Sequence, residues 1–198
     1  MEKVLLYVLD TRDFVNEDIS IFPLLDSKDY ESIEKIPNPE VRLEKAASIY
    51  LKKKYIGDYY LSSDNKPLSN DKYFNISHSK GVVVLALSPL EVGVDIEVIR
   101  EYKDELARYI SSEEEYGYIT SEKNFFEIWT SKESLVKCLG TGIKQKVSEI
   151  PAFPLNGIKV FKEQTYKSSQ LEIFGSVVSI TLKGDNDFEV CLIEETLL

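Results

Sequence analysis

The sequence predicts an α+β fold, with a mostly antiparallel sheet packed by helices in each half of the chain. Three observations carry this. Short β-rich apolar runs occupy residues 4–9 and 82–87. Two stretches, 39–55 and 125–139, repeat apolar residues at helical spacing. Each half reads as helices followed by strands, not as a strict strand–helix–strand alternation.

The elements follow in order. Val4-Leu5-Leu6-Tyr7-Val8-Leu9 reads as an opening strand. In 39–55, Val41, Ala46, Ala47, Ile49, Tyr50 and Tyr55 form a stripe and charges fill the other face. Pro39 suits the first turn, where its missing N–H costs nothing. Residues 62–71 read as a polar loop. The continuous apolar run 82–87 predicts a fully buried strand, ended by Pro89. In 91–99, Val92, Val94, Ile96 and Val98 alternate with Gly93, Asp95 and Glu97, placing the two carboxylates on one strand face. Residues 101–119 read as one or two short helices. Helix 125–139 carries Phe125, Ile128, Leu135 and Leu139 on its apolar side, and Gly140 and Gly142 end it. Four strands follow at 158–161, 171–174, 177–182 and 188–193, the last two joined by the turn residues Gly184-Asp185-Asn186-Asp187. The strand near 91–99 is the seam, which divides the chain into lobes 1–90 and 91–198.

Composition narrows the function. The 198 residues are 43% hydrophobic and 29% charged, enough for a sizeable core. Thirty-four acidic against 24 basic residues give a net charge of −10, which disfavours nucleic acid and anionic membranes as partners. No stretch approaches the ~18 apolar residues of a membrane span. The run at 4–9 is too short for a signal sequence, so a cytoplasmic protein is expected. Cys138 and Cys191 are far apart and expected to stay reduced, and two Cys with one His make a zinc site a poor expectation.

Three segments could carry chemistry. Asp95 and Glu97 repel each other on one strand face, so either the face is solvated or a hard cation such as Mg²⁺ neutralises it. Trp129, Glu133 and Lys137 lie four apart and share one helix face, either as a surface Glu–Lys pair or as part of a site. His78, the only histidine, lies in Asn75-Ile76-Ser77-His78-Ser79 at an expected loop–strand junction. That cluster is either a self-capping turn or a phosphate contact.

Taken together, Asn75-Ile76-Ser77-His78-Ser79, Gly93-Val94-Asp95-Ile96-Glu97 and Trp129-Thr130-Ser131-Lys132-Glu133-Ser134-Leu135-Val136-Lys137 resemble, in order and spacing, the three signature segments of 4′-phosphopantetheinyl transferases. The length resembles the monomeric, two-lobed group typified by the surfactin-synthetase activator. Asn65-Lys66-Pro67 resembles that family's Gly-Lys-Pro element, with Asn in place of Gly.

The resemblance implies two similar lobes related by a pseudo-twofold, with the active site at their interface. It implies transfer of phosphopantetheine from coenzyme A to a serine of an apo acyl or peptidyl carrier protein, with release of 3′,5′-ADP. Asp95, Glu97 and Glu133 would hold Mg²⁺, with Mn²⁺ as the alternative ion. Glu133, or a water held by the metal, would be the base, and Lys137 would stabilise the pyrophosphate. His78 and Ser77 would contact a coenzyme A phosphate, Lys66 the adenine and ribose-phosphate end, and Lys132 a further phosphate. Arg42, or Lys45 in a shifted register, would meet the 3′-phosphate. The competing reading is a module that binds coenzyme A or a carrier without transfer.

Overall fold

The computed structural model describes residues 1–14, 18–61, 67–69, 72–140, 142 and 144–197. Ten strands and five α-helices are present among them. They are β1 (Glu2–Asp10), α1 (Ser27–Glu34), α2 (Pro39–Tyr55), β2 (Tyr60–Leu61), β3 (Pro67–Leu68), β4 (Tyr73–Ser79), β5 (Val82–Ser88) and β6 (Val92–Val98). The second half adds α3 (Asp104–Ile110), α4 (Glu113–Tyr118), α5 (Glu122–Leu139), β7 (Gly157–Phe161), β8 (Gln164–Ile173), β9 (Ser176–Lys183) and β10 (Phe188–Glu194).

Two four-stranded sheets dominate, ordered β10-β1-β5-β4 and β6-β9-β8-β7, with β2 and β3 paired apart. The second sheet is antiparallel throughout. In the first, β1 pairs antiparallel with β5 but parallel with β10. The α+β class is therefore as expected, with one departure. The turn residues after β9 do reverse the chain, but β10 leaves its neighbour and joins the sheet of the other half. Turn chemistry specifies a change of direction, not the partner strand.

Both faces of the first sheet are covered, which explains the near-continuous apolar runs. Val4, Leu6 and Val8 of β1 and Val82, Val84 and Ala86 of β5 pack with Val92, Val94 and Ile96 of β6 and Val178, Ile180 and Leu182 of β9. The alternate residues Tyr7, Leu9, Val83, Leu85 and Leu87 pack under α2, against Leu43, Ala46, Ala47, Tyr50 and Leu51. Helix α2 starts at the Asn38 cap, whose side chain accepts from the Val41 amide, with Pro39 in the first turn. Helix α5 starts at the Ser121 cap and ends at Gly140 in left-handed conformation, φ 74°. α5 lies directly on β6. A Cβ at Gly93 would collide with the Ser134 carbonyl and the Cys138 amide, so only glycine lets helix and strand approach this closely.

The segment around Ser77 is not a loop–strand junction but a full strand. β4 and β5 are joined by the two-residue turn Lys80-Gly81, both with positive φ (47° and 85°). β4 also closes the open edge of β6 through side chains. Asn75 Oδ1 accepts from the Val94 amide at 3.0 Å, and Ser79 Oγ from the Val98 amide at 3.3 Å. Edge amides that would otherwise be open to foreign strands are satisfied this way. The candidate site lies on this seam.

Candidate functional site

A cavity of about 290 Å³ opens where β4, β6 and α5 meet, lined by Ile76, Ser77, His78, Asp95, Glu97, Trp129, Glu133 and Lys137. Every strand or helix position that the three motifs single out for catalysis or metal binding is in that lining. The spacing argument holds on α5: Trp129, Glu133 and Lys137, four residues apart, share the face that borders the cavity.

On β4, residues 75, 77 and 79 face β6 and residues 76 and 78 face the other way. Ser77 Oγ donates to Asp95 Oδ1 at 2.8 Å, and Ser79 Oγ donates to Glu97 at 2.7 Å. Lys137 reaches from α5 to the same Asp95 oxygen at 2.6 Å and to Ser77 Oγ at 2.8 Å. Glu97 also accepts from Arg100 at 2.8 Å. On its other face β4 presents His78, whose Nδ1 lies 3.0 Å from Glu44 of α2.

Electrostatics set Asp95 and Glu133 apart. Burial pushes the Asp95 carboxyl above its ordinary range, and the adjacent Lys137 ammonium offsets this only in part. Its Oδ2 is buried with no hydrogen-bond partner. The Glu133 carboxyl is raised by burial and then by the negative charge of Asp95. Among the described residues Glu133 has no hydrogen bond or ion pair. An orphaned buried oxygen beside a second unpaired carboxylate is a costly arrangement unless a cation completes it. The donor set, all carboxylate oxygen, fits a hard divalent ion. Among the described residues there is no ready-made group of three such ligands, and Glu97 accepts from Ser79 and Arg100.

Three expected contacts do not gather here. Lys132 is 1% exposed and points away. Its ammonium pairs with Glu115 at 2.7 Å and donates to the carbonyls of Val147 and Ile150 at 3.0 and 2.6 Å. The phosphate contact expected of it is replaced by a structural role, because one residue's offset from Glu133 turns it about 100° around the helix. Arg42 donates to the Pro37 carbonyl at 3.4 Å and is outside the cavity lining, as is the exposed Lys45. Lys66 lies outside the described residues.

Glu44 was not anticipated. It accepts from His78 and from the Gly81 amide at 2.7 Å, in the buried face of α2. The signal was present: a glutamate interrupts the apolar stripe between Leu43 and Ala46.

The fold and site define a carboxylate-rich pocket on a sheet seam, with one lysine and one histidine, suited to a divalent cation and a polyphosphate. Comparison with known proteins makes this specific. The family model described as 4′-phosphopantetheinyl transferase superfamily matches residues 91–192, just over half of the chain. The chain belongs to that superfamily. It is 38% identical over 112 residues to the 4′-phosphopantetheinyl transferase gsp of Aneurinibacillus migulanus, covering 52% of this chain and 44% of that protein. It is 33% identical over 79 residues to Sfp of Bacillus subtilis (strain 168), covering 37% and 35%. With AcpT of Salmonella typhi it shares 38% over 91 residues, covering 41% and 47%. The matched stretches span less than half the length of each of these relatives.

Proposed function

We propose that this protein transfers the 4′-phosphopantetheine group of coenzyme A to a serine hydroxyl of an apo acyl or peptidyl carrier protein, with Mg²⁺ or Mn²⁺ bound. The observation that carries the reading is the convergence of Asp95, Glu97, Glu133, Lys137, Ser77 and His78 on one cavity. Superfamily membership and the relatives' names support it.

Bound between these carboxylates and the diphosphate, the ion would neutralise both and act as a Lewis acid toward the pyrophosphate. Asp95 and Glu133, with Glu97, would hold it. Glu133 would also serve as the base that accepts the serine proton. As the serine oxygen–phosphorus bond forms, the bond to the bridging pyrophosphate oxygen breaks and 3′,5′-ADP leaves with its charge. Lys137 would stabilise that charge as it develops. His78 and Ser77 contact a phosphate of coenzyme A. Arg42 and Lys66 are assigned to its nucleotide end.

The reading takes the protein to be a cytoplasmic monomer whose partners are coenzyme A and the carrier, not nucleic acid or membrane. The net charge of −10 supports the exclusion of nucleic acid and anionic membranes as partners. Among the described residues no helix is long and apolar enough to cross a membrane.

The test is to incubate protein, coenzyme A, Mg²⁺ and an apo carrier, and to weigh the carrier. A gain of one phosphopantetheine, abolished by EDTA and by Asp95→Ala, is expected. Coenzyme A binding without mass gain across several carriers would replace the transferase with a binding module.

A further inference from the structure

We infer that Glu44 is a positioning residue for His78: it commits the imidazole Nδ1–H to α2 and leaves Nε2 as the atom that meets a ligand phosphate. The nature of that ligand rests on the reading above.

A carboxylate oxygen can only accept a hydrogen bond, so at 3.0 Å from Glu44 Oε2 the His78 Nδ1 must carry the proton. The other oxygen, Oε1, accepts from the Gly81 amide at 2.7 Å. One buried carboxylate, its side chain 8% exposed, therefore grips the strand residue and the turn after it. The remaining charges near His78 are elsewhere engaged or lie across the cavity. Lys80 is on the same turn, and Asp95 and Glu97 are held from the opposite face of β4 by Ser77 and Ser79. Glu133 and Lys137 project from α5. With Nδ1 fixed, only Nε2 is free to face the cavity that His78 borders.

This has a chemical consequence. A neutral imidazole protonated at Nδ1 offers a lone pair at Nε2, which repels a phosphate oxygen. As an imidazolium, His78 donates from both nitrogens, Nδ1–H to the Glu44 carboxylate and Nε2–H to a phosphate oxygen. Glu44→Gln reverses the arrangement. Glutamine has one acceptor oxygen, and the backbone N–H of Gly81 can only donate, so that oxygen stays on Gly81. The NH₂ then faces Nδ1, the imidazole switches to the Nε2–H tautomer, and it can donate to phosphate without a charge.

His78 is the only histidine, so imidazole ¹H–¹⁵N spectra of the full chain contain one ring. The expected result is the Nδ1–H tautomer in the wild type and Nε2–H in Glu44→Gln. With coenzyme A bound, the wild-type ring should show both N–H signals and the variant's ring Nε2–H alone. The variant's KM for coenzyme A should rise about tenfold with kcat little changed, as a charge-assisted bond becomes a neutral one. Nε2–H alone in the ligand-free wild type, or the same tautomer in both proteins, would overturn the inference. The wild-type spectrum decides the point even where the variant does not fold. Failure of the transfer reading shows separately, as an unmodified carrier with both tautomers as expected. Inorganic pyrophosphate then replaces coenzyme A, with the same spectra required.

Discussion

Helix α5 carries two lysine–carboxylate clusters, and they differ in one respect that separates structure from function. Around Lys132 every polar atom has a partner. Glu115 accepts from the Ala152 and Ser112 amides, both at 2.8 Å, and from Lys132. Lys132 adds two carbonyls, and Lys159 donates to Ser131 alongside. Around Lys137 the inventory does not close. Asp95 keeps a buried oxygen without a partner, and Glu133 has no ion pair or hydrogen bond among the described residues. The first cluster is complete as it stands; the second leaves carboxylate oxygens open, as the proposed cation site requires. Residue types alone do not distinguish them, since each pairs a lysine of the same α5 motif with carboxylates. The count of unsatisfied acceptors does.

Four predictions test this contrast. The largest effect belongs to Glu133→Gln, which should cut carrier modification about 10²–10⁴-fold while its melting temperature stays near wild type. A variant with full turnover would remove Glu133 as the base. Next, Lys132→Met leaves Glu115 buried without its cation and should cost about 3–5 kcal/mol in denaturant unfolding. A loss of activity at unchanged stability would instead return Lys132 to the site.

The third concerns Lys159, 2% exposed, whose ammonium burial holds at a pKa of about 7. The sign is set by proton counts: between that value and the ordinary lysine range the unfolded chain binds the proton and the folded one does not. This residue's penalty is thus greatest below pH 7 and fades as pH rises toward ~10. Lys159→Met should raise the melting temperature by several degrees at pH 7 and by much less at pH 10. Equal gains at both would mean the ammonium stays charged inside the fold. The smallest effect is thermal: Mg²⁺ at ~100 times its dissociation constant should stabilise the wild type by about 2.7 kcal/mol, and Asp95→Asn far less. Equal shifts would place the ion elsewhere.

Much of this was legible in the sequence. Residues 39–55 were read as a helix and match α2, because first-turn proline and apolar stripe agree. The face of Trp129, Glu133 and Lys137 follows from helical spacing alone. The same spacing argued against Lys132, about 100° away, which only the motif resemblance had drawn in. β4 was hidden because its polar residues face another strand's edge rather than water, so Asn75, Ser77 and Ser79 imitate a turn. The pairing of β10 with β1 could not be read, since the partners stand at opposite ends of the chain and no local pattern links them. Glu44 was visible only as an anomaly in an apolar stripe.

Gly93 sets the width of the pocket. Because main chain rests on main chain there, the spacing between the carboxylates of β6 and that of α5 is gauged by backbone thickness. Any residue larger than glycine at that single point would wedge the pocket's two walls apart.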